Sequence, residues 1–123
     1  MEDAYVTFGT AKRLKEKGFD WVVDTYYCDD YDYAQHDIIE YRKENYNSHK
    51  AHISAPTQQM ACSWLRKEKG IHILPEISEV KENPKYYCMI WKISTLESFI
   101  VDLFGSYEDA VEAALQYCLT NLV

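Results

Sequence analysis

Ser106-Tyr107-Glu108-Asp109-Ala110-Val111-Glu112-Ala113-Ala114-Leu115-Gln116-Tyr117-Cys118-Leu119-Thr120-Asn121-Leu122 is the stretch whose reading decides the fold class. Ser106 offers a hydroxyl to an otherwise orphaned amide three residues on, and Asp109 stands there with a carboxylate, a capping-box-like helix start. Beyond it Ala110, Val111, Ala114, Leu115, Cys118, Leu119 and Leu122 recur at helical spacing and form one apolar stripe that must be buried. The residues just upstream supply a surface for it. Tyr86 to Ile93 is nearly continuous β-branched and aromatic sequence, as expected for a central strand covered on both faces. Phe99 to Phe104 is its antiparallel partner across a connection at Ser94 to Ser98. A helix lying on hairpin-linked strands is α+β. The expected fold is a three- to four-stranded, mainly antiparallel sheet with about three helices, the C-terminal amphipathic helix packed on the sheet.

The remaining elements follow outward from there. Ile71 to Ile77 reads as a strand, and Pro75 near its end assigns it to an edge because proline cannot donate to a ladder; Asn83-Pro84 marks the turn after it. Pro56 suits the first turn of a helix carrying Met60, Ala61, Trp64, Leu65 and Glu68 as far as Gly70, with Met60, Trp64 and Leu65 as its main buried face. Thr7 caps a first helix to about Lys17, Ala11 and Leu14 facing inward and Gly18 closing it. Trp21, Val23, Thr25 and Tyr27 then alternate with Val22, Asp24, Tyr26 and Cys28 as in a strand, ending at Asp29-Asp30. From Tyr31 to Ile53 the pattern fades. Ile38, Ile39 and Tyr41 fit a short strand or a helical turn, and Asn45 to Lys50 reads as loop.

A chain of 123 residues fits one domain, residues 1–123, burying about two-thirds of its unfolded surface. No apolar run approaches the roughly 18 residues of a membrane span, and the acidic start Met1-Glu2-Asp3 lacks the basic and apolar regions of a secretory signal. Cys28, Cys62, Cys88 and Cys118 are widely spaced, as scattered reduced thiols of a cytoplasmic protein would be. The net charge is −7, and it sits in one place: residues 20–41 hold seven acidic residues and no lysine or arginine. Such a field repels phosphate backbones and attracts basic surfaces, so nucleic-acid binding is unlikely and a basic protein partner is expected.

No pattern carries catalytic or metal chemistry. The glycines, Gly9, Gly18, Gly70 and Gly105, never cluster into a phosphate-cradling loop. Ser63 and Cys62 lie within a helix rather than at a nucleophile elbow. His49 and His52, with His36 upstream and Cys62 downstream, lack the second tight ligand pair of a structural zinc site and read as loop histidines. Lys12, Arg13, Lys15 and Lys17, like Arg66, Lys67 and Lys69, are interrupted by a glutamate and read as solvated helix faces. The expectation is therefore no enzyme, no cofactor and no metal.

What remains is a constellation of rings among carboxylates: Tyr26, Tyr27, Asp29, Asp30, Tyr31, Asp32, Tyr33, Tyr41 and Tyr46, with Trp21 beside them. Rigid rings with polar tips give contact area at low entropic cost, and carboxylates around them would steer a basic partner. These are the candidate binding residues. The commoner arrangement for such rings is core and cross-strand packing beside solvated aspartates, and both readings stand at this point.

Ser54-Ala55-Pro56-Thr57-Gln58-Gln59-Met60, Trp64-Leu65-Arg66, Ile71-His72-Ile73 and Ser106-Tyr107-Glu108-Asp109-Ala110-Val111-Glu112-Ala113-Ala114-Leu115 resemble small uncharacterised proteins of prophages and mobile elements in gut bacteria. Val6-Thr7-Phe8 and Lys15-Glu16-Lys17-Gly18-Phe19 extend the resemblance, which leaves out Asp29 to His52. It implies a genomic setting and no activity. Residues 56–122, read as helix, three strands and helix, are similar in element order to a double-stranded-RNA-binding domain. That family opens its last helix with lysines, where this chain has Glu108 and Asp109. The stretch from Tyr86 onward is also similar to small antitoxins with a partial RNase-H-like fold, which act by binding a protein. The expected function is that of a non-enzymatic binding protein of a mobile element, with a nucleic-acid module or an enzyme whose site is assembled only in three dimensions as the alternatives.

Overall fold

Ser106 caps the last helix, α3 (Tyr107–Asn121), its hydroxyl accepting from the Asp109 amide at 3.1 Å. The structure is a computed structural model and describes residues 4–29, 37–78 and 85–123. Ala110, Val111, Ala114, Leu115, Cys118 and Leu119 of α3 are buried against a three-stranded antiparallel sheet of β4 (Ile71–Ile77), β5 (Tyr86–Lys92) and β6 (Glu97–Phe104), in the order β4-β5-β6. Pro75 lies on β4, an edge strand, opposite Cys88, where its missing N–H costs no ladder bond. The β5–β6 turn is tight and holds Leu96 at φ 58°, a left-handed conformation that a branched side chain rarely takes.

Helix α2 (Gln58–Lys69) packs beside α3 and on β4. Its cap is Thr57, whose hydroxyl accepts from the Met60 amide at 3.1 Å, so the helix begins after Pro56 rather than at it. The Pro56 carbonyl instead accepts from the Val6 amide at 3.0 Å and ties down the N-terminal segment. The buried face of α2 is Gln58, Ala61, Trp64 and Leu65, with Met60 only half-buried. Gly70 ends it in the left-handed conformation, φ 65°. Residues 58–121 thus run helix, three antiparallel strands, helix. The N-terminal helix α1 (Phe8–Glu16), capped by Thr7, buries Thr10, Ala11 and Leu14 and packs on α3 and β3.

The expected single sheet is two. A second three-stranded antiparallel sheet in the order β2-β1-β3 is formed by β1 (Val23–Cys28), β2 (Ile39–Glu44) and β3 (His52–Ser54). Val23, Thr25 and Tyr27 point into the core as their alternation requires. Among the described residues there are three α-helices and six strands, an α+β fold with more strand than expected. The patterning of residues 31–53 is weak for a physical reason. β2 is exposed along almost its whole length and β3 is three residues long, so neither has a buried face long enough to impose a period. Both sheets and all three helices contribute to one apolar core, with Phe19 edge-on to Trp64 at 5.5 Å.

Candidate binding surfaces

The acidic aromatic segment is divided by the fold between interior and surface. Tyr27 is 5% exposed; its ring meets Phe8 edge-on at 5.5 Å and its hydroxyl donates to the Val6 carbonyl at 2.7 Å. Burial, and then the Glu112 carboxylate, push its phenol up to about 12. Tyr46, 2% exposed, opens a 3-10 turn at Tyr46–Ser48 that folds over the outer face of the β2-β1-β3 sheet. Its ring stacks on Tyr26 at 4.4 Å, and its hydroxyl donates to the Arg42 carbonyl. These two rings correct the expectation: they belong to the interior, because each hydroxyl finds a backbone acceptor that lets the ring be buried without an orphaned polar group. Tyr26 is half-buried between Tyr46 and His52. Asp29 is half-buried at the end of β1, its amide donating to the Ala51 carbonyl at 2.8 Å. Tyr41, on β2, is 64% exposed. Asp30, Tyr31, Asp32 and Tyr33 lie outside the described residues.

His49 and His52 come together, ring centres 5.4 Å apart, with His52 Nδ1 buried and without a hydrogen-bond partner. Glu44 accepts from Arg42 Nε at 3.0 Å and meets His49 Nε2 at 2.7 Å, and these bonds hold its carboxyl below the usual range. Lys15 Nζ donates to the carbonyls of His49 and His52 at 2.9 and 2.8 Å, pinning the turn to α1. Among the described residues no three His, Cys, Asp or Glu side chains converge in a way that would hold a metal.

A groove of about 860 Å³ runs between α2, the start of α3, β4 and β5, lined among others by Gln59, Cys62, Ser63, Arg66, Tyr86 and Tyr107. Its volume suits a small ligand. Its chemistry is muted, however: no histidine is among its described lining residues, and burial pushes the Cys62 thiol up to about 12. Cys88 and Cys118 beneath it are pushed up to about 11 and about 12 for the same reason, so none of the three supplies a thiolate near neutrality. In comparisons with protein-family models, curated proteins and solved structures, nothing matches this chain significantly. The reading of its surfaces therefore rests on their own chemistry.

The surface that the sequence concealed is the outer face of the β4-β5-β6 sheet. The run Tyr86 to Ile93 implies a strand covered on both sides. α2 and α3 cover one side alone: Cys88 and Ile90 face them with no exposure, while the alternate residues Tyr87, Met89 and Trp91 take no part in the core. Register arranges this open face in rows. Leu74, Met89 and Ile100 are direct cross-strand neighbours, with Leu74 39% and Ile100 68% exposed. On one side lies the row His72, Trp91, Ser98. On the other, Glu76 pairs with Tyr87, and exposed Asp102 follows Val101, the partner of Cys88. The missed signal was the polar interruption of the outer strands: Glu76 and Asp102 share the parity of Leu74 and Ile100, which a sheet buried on both faces would not tolerate.

Proposed function

We propose that the protein is a non-enzymatic binding protein that recognises a basic protein partner. One observation carries this reading: the charge of −7 is concentrated in residues 20–41, of which Asp20, Asp37, Glu40 and Tyr41 are exposed. Carboxylates gathered on one stretch of chain speed encounter with a basic surface and penalise an acidic one. The raised thiols of Cys62, Cys88 and Cys118 and the pairing of His49 with Glu44 support binding over catalysis. The resemblance to small proteins of prophages and mobile elements accords with such a role in the cytoplasm.

The helix, three strands, helix order of residues 58–121 favours a nucleic-acid module as the second reading. Glu108 and Asp109, both exposed in the first turn of α3, place negative charge where a phosphate would have to approach, and this weighs against it. The experiment is capture from a lysate of the native host, with and without nuclease, at about 50 and about 500 mM salt. The expected catch is a basic protein, retained after nuclease, lost at high salt and weakened by Asp37→Asn/Glu40→Gln. Nucleic acid as the retained species, or capture indifferent to salt, would refute the reading.

A further inference from the structure

We infer that the open face of the β4-β5-β6 sheet is the docking site for a basic amphipathic helix of the partner protein. The inference rests on the basic-partner reading and adds a surface and a shape to it. Three observations lead there. The first is that the face is apolar across its middle, where Leu74, Met89 and Ile100 adjoin one another in register, and no described element covers it. Among the described residues the sheet carries helices on one side and no layer on the other, and a helix is the layer that completes such a sheet.

The second is size. Three strands about 4.8 Å apart set the outer strand axes roughly 10 Å apart, the diameter of one helix. Strands of seven and eight residues extend about 23–26 Å, the length of about four to five helical turns. Edge pairing is the less suitable mode at β4, because Pro75 interrupts its row of donors.

The third is charge. Glu76 and Asp102, both exposed, lie on the strands either side of Tyr87, with Lys85 two residues before it on the same face, so a lysine or arginine docked there meets two carboxylates against one ammonium, with a phenol ring beside them. A helix with leucine-like residues on one side and a basic residue toward one end satisfies both the apolar row and this acidic row. A second copy of the chain fits less well. It would bring two charges of −7 together.

The test uses two synthetic helical peptides of about 18 residues, one patterned Leu/Lys and its counterpart patterned Leu/Glu, followed by fluorescence anisotropy against the full chain. The Leu/Lys peptide is expected to bind in the micromolar range characteristic of a small interface, and the Leu/Glu peptide not to bind. Met89→Ser/Ile100→Ser should weaken the Leu/Lys peptide by about tenfold or more. Glu76→Gln/Asp102→Asn, which leaves the apolar row intact, should weaken it several-fold and flatten its salt dependence. Thermal melts of the face variants should fall within a few degrees of the parent, because these side chains take no part in the core.

Equal affinity of the parent and both face variants would overturn the docking site while leaving the basic-partner reading intact. Equal binding of the Leu/Glu peptide would overturn the basic character of the docked helix, and with it the inference. Sedimentation showing a dimer that Met89→Ser/Ile100→Ser dissolves would assign the face to a second copy and overturn the inference.

Discussion

Tyr27→Phe separates a core tyrosine from a recognition tyrosine, and the two roles give opposite results. The substitution keeps the ring against Phe8 and deletes one hydrogen bond, leaving the carbonyl of Val6, a residue with no exposure, without its 2.7 Å donor. An unsatisfied buried acceptor costs about 1–3 kcal/mol, which for a chain of this size is a fall in Tm of about 3–6 °C per kcal/mol. The effect carries a pH signature. The phenol is raised from 10.0 to about 12 in the fold, burial being the larger cause and Glu112 the smaller. The native state therefore holds this proton more tightly than the unfolded chain does. Below pH 10 the phenol is protonated in both states and its contribution is fully present. As pH rises from about 10 through about 12 that contribution is lost, by up to about 2.7 kcal/mol for a two-unit shift. Urea unfolding of parent and variant at neutral pH and again near pH 11 measures the difference, and other groups that ionise in this range are common to both proteins and cancel. The gap should narrow or close at the higher pH. A variant as stable as the parent at neutral pH, or a gap independent of pH, would refute the interior role assigned to this hydroxyl.

Three further outcomes test the fold. Leu115→Ala empties a site with no exposure between α3 and the sheet and should cost about 2–5 kcal/mol in chemical denaturation. Leu96→Asn should raise stability by about 0.5–1 kcal/mol, since Leu96 is 72% exposed and held at φ 58°, a region that asparagine enters with less strain; a loss of stability would contradict that turn. Cys88 and Cys118, both at 0% exposure with thiols pushed up to about 11 and about 12, should react with an aromatic disulfide only as fast as the native state opens. Immediate labelling of either in the native protein would place it at the surface.

Much of the C-terminal half was legible because each of its signals is local. Ser106, Gly70 and Pro75 act on backbone within a few residues of themselves, as a cap, a left-handed stop and an edge marker, and α3 carries enough turns for its stripe to reveal a period. The helix start at Thr57 rather than Pro56 is a one-turn matter of which hydroxyl reaches the Met60 amide. β2 and β3 were not legible, because an exposed strand and a three-residue strand bury too little to pattern the sequence. The candidate site was harder still. Tyr26, Tyr27, Tyr41 and Tyr46 look alike in composition, and one is a surface ring while two are core rings. What separates them is whether a carbonyl, that of Val6 or of Arg42, lies within reach of the hydroxyl after folding.

The sequence alone determined the class of the fold, the caps Thr7 and Ser106, the edge position of β4 and the concentration of negative charge in residues 20–41, since each depends on neighbours along the chain. Only the tertiary structure decided that β1, β2 and β3 make a sheet of their own and that Tyr27 and Tyr46 turn inward. It alone decided that no described element covers the outer face of β4-β5-β6, with Glu76 and Asp102 on the strands either side of Tyr87. Those outcomes depend on which surfaces distant segments cover once both helices have taken the same side of the sheet; the polar interruptions at Glu76 and Asp102 hint at the uncovered face but do not by themselves say which elements lie where.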